Sequence, residues 1–197
     1  MKYQTEIHQN FIGIYEGNMK SLILDKKEVV EIKDLHSMIV DSFALAEKKK
    51  VRLWGVYPLV NPFYMQMNIS FDLRYIIACM MGFVNTHDDF TFCTMNDKED
   101  FERSIKFYIK DGGVMRYNYI GALQSPYKER GGMQEHRTPK RIRNSALELL
   151  QKYPMFCSVN TVRLKKHFRK GNPFEIRLRD KRKKKPITSV VDNLKEY

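Results

Sequence analysis

Residues 20–56 constrain the fold more than any other stretch, because three segments of different periodicity follow one another there. Lys20-Ser21-Leu22-Ile23-Leu24 is a short apolar run stopped by Asp25, the pattern of a buried strand. Asp34 can cap a following helix, whose Leu35, Met38, Ile39, Phe43 and Ala46 repeat on one face. Lys48, Lys49 and Lys50 close that helix against the negative end of its dipole. Val51 to Val56 is strand-like again. A strand, an amphipathic helix and a strand in this order predict a βαβ unit, with a parallel pair and a right-handed crossover. The class expected is α/β.

The second strand runs into Trp54-Gly55-Val56-Tyr57-Pro58-Leu59-Val60-Asn61-Pro62-Phe63-Tyr64, which holds the only Trp and two of the seven prolines. Each X-Pro step turns the preceding residue away from helix, so Tyr57 and Asn61 mark a loop. Large rings on a loop held by proline suit a wall for a ligand, with Trp54 and Tyr57 its first candidates. Further on, Leu73, Ile76, Ile77, Met80 and Met81 have helical spacing, yet the β-branched pair and Gly82 also suit a strand, and a strand is expected. A helix is expected from near Asp97, with Phe101, Ile105, Tyr108 and Ile109 on one face and a stop at Gly112-Gly113. Val114–Ile120 reads as a strand, 125–138 as a loop, and Arg141–Tyr153 as a helix ended by Pro154. Phe156–Leu164 and Phe174–Leu178 read as two strands joined by Gly171-Asn172-Pro173. With no repeat and no linker, residues 1–180 are expected to form one domain, followed by a basic tail at 181–197.

A chain of 197 residues is long enough to bury a core. No apolar run reaches the length of a membrane span, and no apolar segment follows the charge at the start. Cys79, Cys93 and Cys157 are odd in number and far apart, which argues for free thiols and against a zinc site. A cytoplasmic protein is expected, or a nuclear one in a host with a nucleus. The net charge of +12 is concentrated: twelve Lys or Arg lie between Thr161 and Lys185, opposed only by Glu175 and Asp180. Arg163, Lys165, Arg177 and Arg179 alternate with Val162, Leu164, Ile176 and Leu178, which predicts a basic face over a buried one. Such a face attracts a polyphosphate partner, DNA above all.

Three further places can carry chemistry. Asp25 ends its strand, where ligands bind in open α/β sheets. Glu99 and Asp100 open a helix, where acids also complement the dipole, and a carboxylate there can serve as a general base. The loop Tyr127-Lys128-Glu129-Arg130-Gly131-Gly132-Met133-Gln134-Glu135-His136-Arg137 combines features that suit a ligand. Gly131 and Gly132 allow close backbone approach, Gln134 can bond a base or sugar edge, and Arg137 can hold a phosphate.

With the Trp54–Tyr64 segment, these pieces resemble the TET-associated glycosyltransferases of phages and large DNA viruses. The likeness covers about residues 9–182. It implies a mixed sheet with flanking helices in a partial GT-A-like fold, that of nucleotide-diphospho-sugar transferases. The implied activity is transfer of a sugar from a nucleotide-sugar donor to a hydroxylated base in DNA. Asp100 would be the base, with Glu99 second. Tyr127, Gly131, Gly132, Gln134 and Arg137 would form an acceptor or donor loop. Asp25 would stand on the donor side, where the family binds Mg²⁺ or Mn²⁺ through an acidic motif, with His167 a further ligand. Lys26 and Lys27 replace two acids of that motif. Lys26 would then neutralise the donor diphosphate directly. Some twenty-four residues precede Asp25, so most of the family's nucleotide-binding half is missing, as in a truncated or split gene or in a chain that pairs with a second one supplying that half. The rival expectation is a non-catalytic nucleic-acid-binding remnant of such an enzyme.

Overall fold

The computed structural model describes residues 20–25, 28–123, 138–160 and 175–180. They group into two compact units, one within Met1–His136 and one within Arg137–Tyr197. The protein is mixed α/β. No helix among the described residues is long and apolar enough to cross a membrane.

The first unit is built on a mixed sheet. Its strands are β1 (Lys20–Asp25), β2 (Glu28–Glu31), β3 (Leu53–Tyr57), β4 (Ile69–Ser70), β5 (Met81–Phe83) and β6 (Met115–Leu123). Two helices accompany them, α1 (Leu35–Lys48) and α2 (Glu99–Asp111), with a short 3-10 turn at Asp89–Thr91. The strand order is β2-β1-β6-β3-β5, and β4 pairs with β6.

The expected helix α1 forms where the sequence placed it. The Asp34 carboxylate accepts from the Ser37 N–H at 2.9 Å, satisfying one of the orphan donors of the first turn. Ile39, Phe43 and Ala46 are buried with Trp54, Val56, Met115, Tyr117, Ile120 and Ala122, so α1 covers one face of the sheet. The strands that flank it do not form the expected parallel pair. β1 runs antiparallel to β6, β6 runs parallel to β3, and β6 therefore separates β1 from β3. The cause is β2. Glu28 pairs with Asp25 in an antiparallel hairpin, which reverses the chain before α1 begins. The parallel pair is instead β3–β6, with α2 between them in sequence.

The expected strand over 73–81 is also corrected: only Met81–Phe83 is extended. Ile76 fills the space where a Gly55 side chain would stand, 2.5 Å from an ideal Cβ there. Its N–H donates to the Ser104 hydroxyl at 3.0 Å, so α2 replaces the missing ladder partner. Helix α2 ends at Gly112, whose φ of 78° is the left-handed cap that glycine adopts without strain. Its buried face differs from the expected one. Ile105 and Tyr108 are buried, but Ile109 is exposed and Glu102, Lys106 and Phe107 are buried in its place.

In the second unit, α3 (Pro139–Lys152) is capped by Thr138, whose side chain accepts from the Arg141 N–H. It stops at Tyr153, ahead of Pro154, as expected. β7 (Cys157–Val159) and β8 (Ile176–Leu178) pair antiparallel, and Ile176 and Leu150 pack against Val159 and Ala146. The expected loop at 125–138 and the strand joint Gly171-Asn172-Pro173 fall outside the described residues, apart from Thr138.

Candidate functional site

Asp100 sits in the first turn of α2, with a side chain 16 % exposed. One oxygen accepts from the Tyr75 hydroxyl at 3.1 Å, and the other pairs with Arg103 Nη1 at 3.1 Å. Tyr75 is also fixed by the Phe101 ring, 4.5 Å from its own. Burial, followed by the neighbouring Asp100 charge, holds the Tyr75 phenol protonated well above the usual tyrosine range. The same two causes push the Cys79 thiol up to about 11. A carboxylate offers about four lone-pair directions and these partners use two. Asp100 therefore keeps acceptor capacity at a partly exposed helix start, which is the geometry a general base needs. Glu99 is half-buried at the helix start beside it.

A second cluster lies where β3 leaves the sheet. The Arg116 guanidinium stands over the Tyr57 ring at 5.0 Å from its centroid. Arg116 Nε donates to Asn118 Oδ1 at 2.9 Å and Nη1 to the Tyr75 carbonyl at 3.4 Å. The Asn118 amide donates in turn to Asn68 Oδ1 and Ser70 Oγ, both at 2.6 Å. Beyond Tyr57 the loop leaves Leu59, Phe63, Tyr64 and Met67 exposed, with Phe63 at 84 %.

Trp54 belongs to neither cluster. It is 0 % exposed, meets Phe43 edge-on, and lies so close to Gly82 that a Cβ there would fall 2.5 Å from its Nε1. The ring is core, so Trp54 cannot be the ligand wall expected of it. The physical reason is register: Trp54 pairs with Gly82 across β3–β5, and the glycine opens a slot that the indole fills.

Asp25 pairs with Glu28 at the end of a hairpin and does not stand at the open strand end that a βαβ crossover would give it. Among the described residues no three His, Cys, Asp or Glu side chains converge as a metal site. Lys26, Tyr127, Gly131, Gly132, Gln134, Arg137, Arg163, Lys165 and His167 lie outside the described residues. Arg177 is exposed on β8, and the Arg179 N–H bonds the Phe156 carbonyl at 2.6 Å.

Tyr75, Arg103 and Arg116 were not foreseen. Arg103 carried a signal, since it stands three residues after Asp100 on a helix, where opposite charges meet. Tyr75 and Arg116 reach their partners across the chain, through contacts that no local pattern encodes. No protein-family model matches the chain, and neither the curated proteins nor the solved structures hold a match to it.

Proposed function

We propose that the protein is a glycosyltransferase-like, partly GT-A-like protein that transfers a sugar from a nucleotide-sugar to a hydroxylated base in DNA. The observation that carries this reading is Asp100, a partly exposed carboxylate at a helix start with lone pairs to spare. In this mechanism Asp100 takes the proton of the acceptor hydroxyl. The hydroxyl oxygen attacks the anomeric carbon, and the nucleoside diphosphate leaves with the bonding electron pair. Arg103 and Tyr75 hold the carboxylate in place, and the resemblance assigns ligand binding to Gly131, Gly132, Gln134 and Arg137. The family's Mg²⁺ or Mn²⁺ would need the acidic motif in which Lys26 and Lys27 replace two acids, and among the described residues no three His, Cys, Asp or Glu side chains converge. No step is therefore routed through a metal.

The test is turnover of a labelled nucleotide-sugar on DNA carrying hydroxymethylated bases, with any second chain required for donor binding included. Asp100→Asn should abolish transfer and leave DNA binding within about twofold, since it removes a proton acceptor and little contact. Retained turnover in that variant would remove Asp100 from the mechanism.

A second reading, a DNA-binding protein without transferase chemistry, is favoured by the hairpin at Asp25. Both readings require the basic segment 161–185 to bind DNA. Its affinity should fall steeply with salt, by nearly one unit of slope per phosphate contact on duplex DNA. Affinity indifferent to salt, or kept after the segment's arginines are replaced, would remove DNA as the partner.

A further inference from the structure

Cations inside a folded chain are held beside carboxylates, because a desolvated charge without a counter-charge is costly. The first unit follows that rule at Arg52, paired with Asp111 at 2.6 Å, at Arg103 with Asp100 and at Lys106 with Glu102. Arg116 departs from it. It is half-buried, and no carboxylate among the described residues forms an ion pair with it. Asp72, the acid near it, is bonded to Arg74 at 2.8 Å, and Arg74 brings a further positive charge. Burial first, and then Arg74, pull the Arg116 guanidinium down to about 10 from its ordinary value. Two arginines share one carboxylate, and the surplus charge is the partly buried one.

The fork is also aimed. Asn68 and Ser70 accept both protons of the Asn118 amide nitrogen, which orients the amide oxygen to accept from Arg116 Nε. The Tyr75 carbonyl holds Nη1 and the Tyr57 ring backs the plane. Nη2 has no partner among the described residues. We propose that Arg116 is the receptor for the phosphate group of a nucleotide docked beside Tyr57. A guanidinium fork matches a phosphate in shape and charge, and aromatic rings beside it take the stacked base. This site needs no sugar transfer, and Tyr75 touches both Arg116 and Asp100. The phosphate has two possible sources, a free nucleotide or a DNA strand.

The test uses the full chain with Arg116→Gln and Arg116→Lys, and two probes. Uridine diphosphate is titrated by calorimetry, and a labelled oligothymidylate by anisotropy at low salt. Arg116→Gln should weaken one probe by about tenfold or more, the effect of losing a charged hydrogen bond. Arg116→Lys should recover only part, because it restores the charge without the fork. Loss confined to uridine diphosphate assigns the site to a free nucleotide, and loss confined to the oligonucleotide assigns it to a strand. Unchanged binding of both probes in Arg116→Gln, or no binding of either by the wild type, overturns the proposal. If Arg116→Gln does not fold, wild-type affinity in Arg116→Lys overturns it.

Discussion

Two carboxylates on one helical turn of α2 have opposite surroundings. Glu102 is 0 % exposed and accepts from the Thr94 N–H at 2.7 Å, the Thr94 hydroxyl at 2.9 Å and the Met95 N–H at 2.9 Å. Lys106 lies 3.6 Å from it and donates to the Phe92 carbonyl. That network is closed: it pins residues 92–95 to the helix and leaves nothing for a ligand. Asp100, two residues earlier, faces the other way, with two partners and a partly exposed edge. A fully satisfied buried carboxylate is a fastener, whereas a half-satisfied one at the surface has capacity for chemistry.

Breaking the closed side should have the largest effect. Glu102→Ala removes the acceptor of three bonds and leaves Lys106 without its carboxylate, at a cost of about 3–5 kcal/mol. Urea denaturation checks it, and a loss below about 1 kcal/mol would mean that the two sides do not differ as described. Asp100→Asn should cost less, about 1–2 kcal/mol, because the amide keeps a hydrogen-bond acceptor for Tyr75 while Arg103 loses its counter-charge. A loss as large as that of Glu102→Ala would make Asp100 a fastener too.

The smallest effect sharpens the contrast through Cys79, beside Asp100. Its thiol is raised from about 9 to about 11, so between those values the folded chain holds a proton that the unfolded chain has released. Stability from this group is complete below pH 9 and is lost as pH rises toward 11. Asp100→Asn should lower the upper limit of that window, because it removes one of the two causes. Alkylation of Cys79 followed from pH 8 to 11 reads it directly, and an identical profile in both proteins would break the link.

The local elements were legible in the sequence wherever a cap and a periodic face coincide. Asp34 and the Leu35–Ala46 stripe announced α1, and Pro154 announced the end of α3. The arrangement of strands was not legible. β2 is four residues, Glu28-Val29-Val30-Glu31, too short and too charged at its ends to read as a strand, yet its hairpin decides the direction of everything that follows. The strand expected over 73–81 failed because Ile76 obtains its hydrogen bond from a side chain of α2, a tertiary event. At the candidate site the acids were readable as residue types at a helix start. Which acid would be sealed inside depended on the 92–95 loop folding onto Glu102, and nothing in the spacing encodes that contact.

The central strand β6 has a consequence for synthesis. It pairs with β1, β3 and β4, and it joins Lys20 to Leu123, about a hundred residues away. As the chain leaves the ribosome, α1 emerges with its apolar stripe before the strand that completes its seat exists. The wait from Lys48 to Leu123 lasts roughly 4–15 s at ordinary rates of translation. Such long-range pairing is slow to form and exposes apolar surface meanwhile. A nascent chain arrested before Met115 should therefore be a client for chaperones, and one released after Leu123 should close its sheet in a single step.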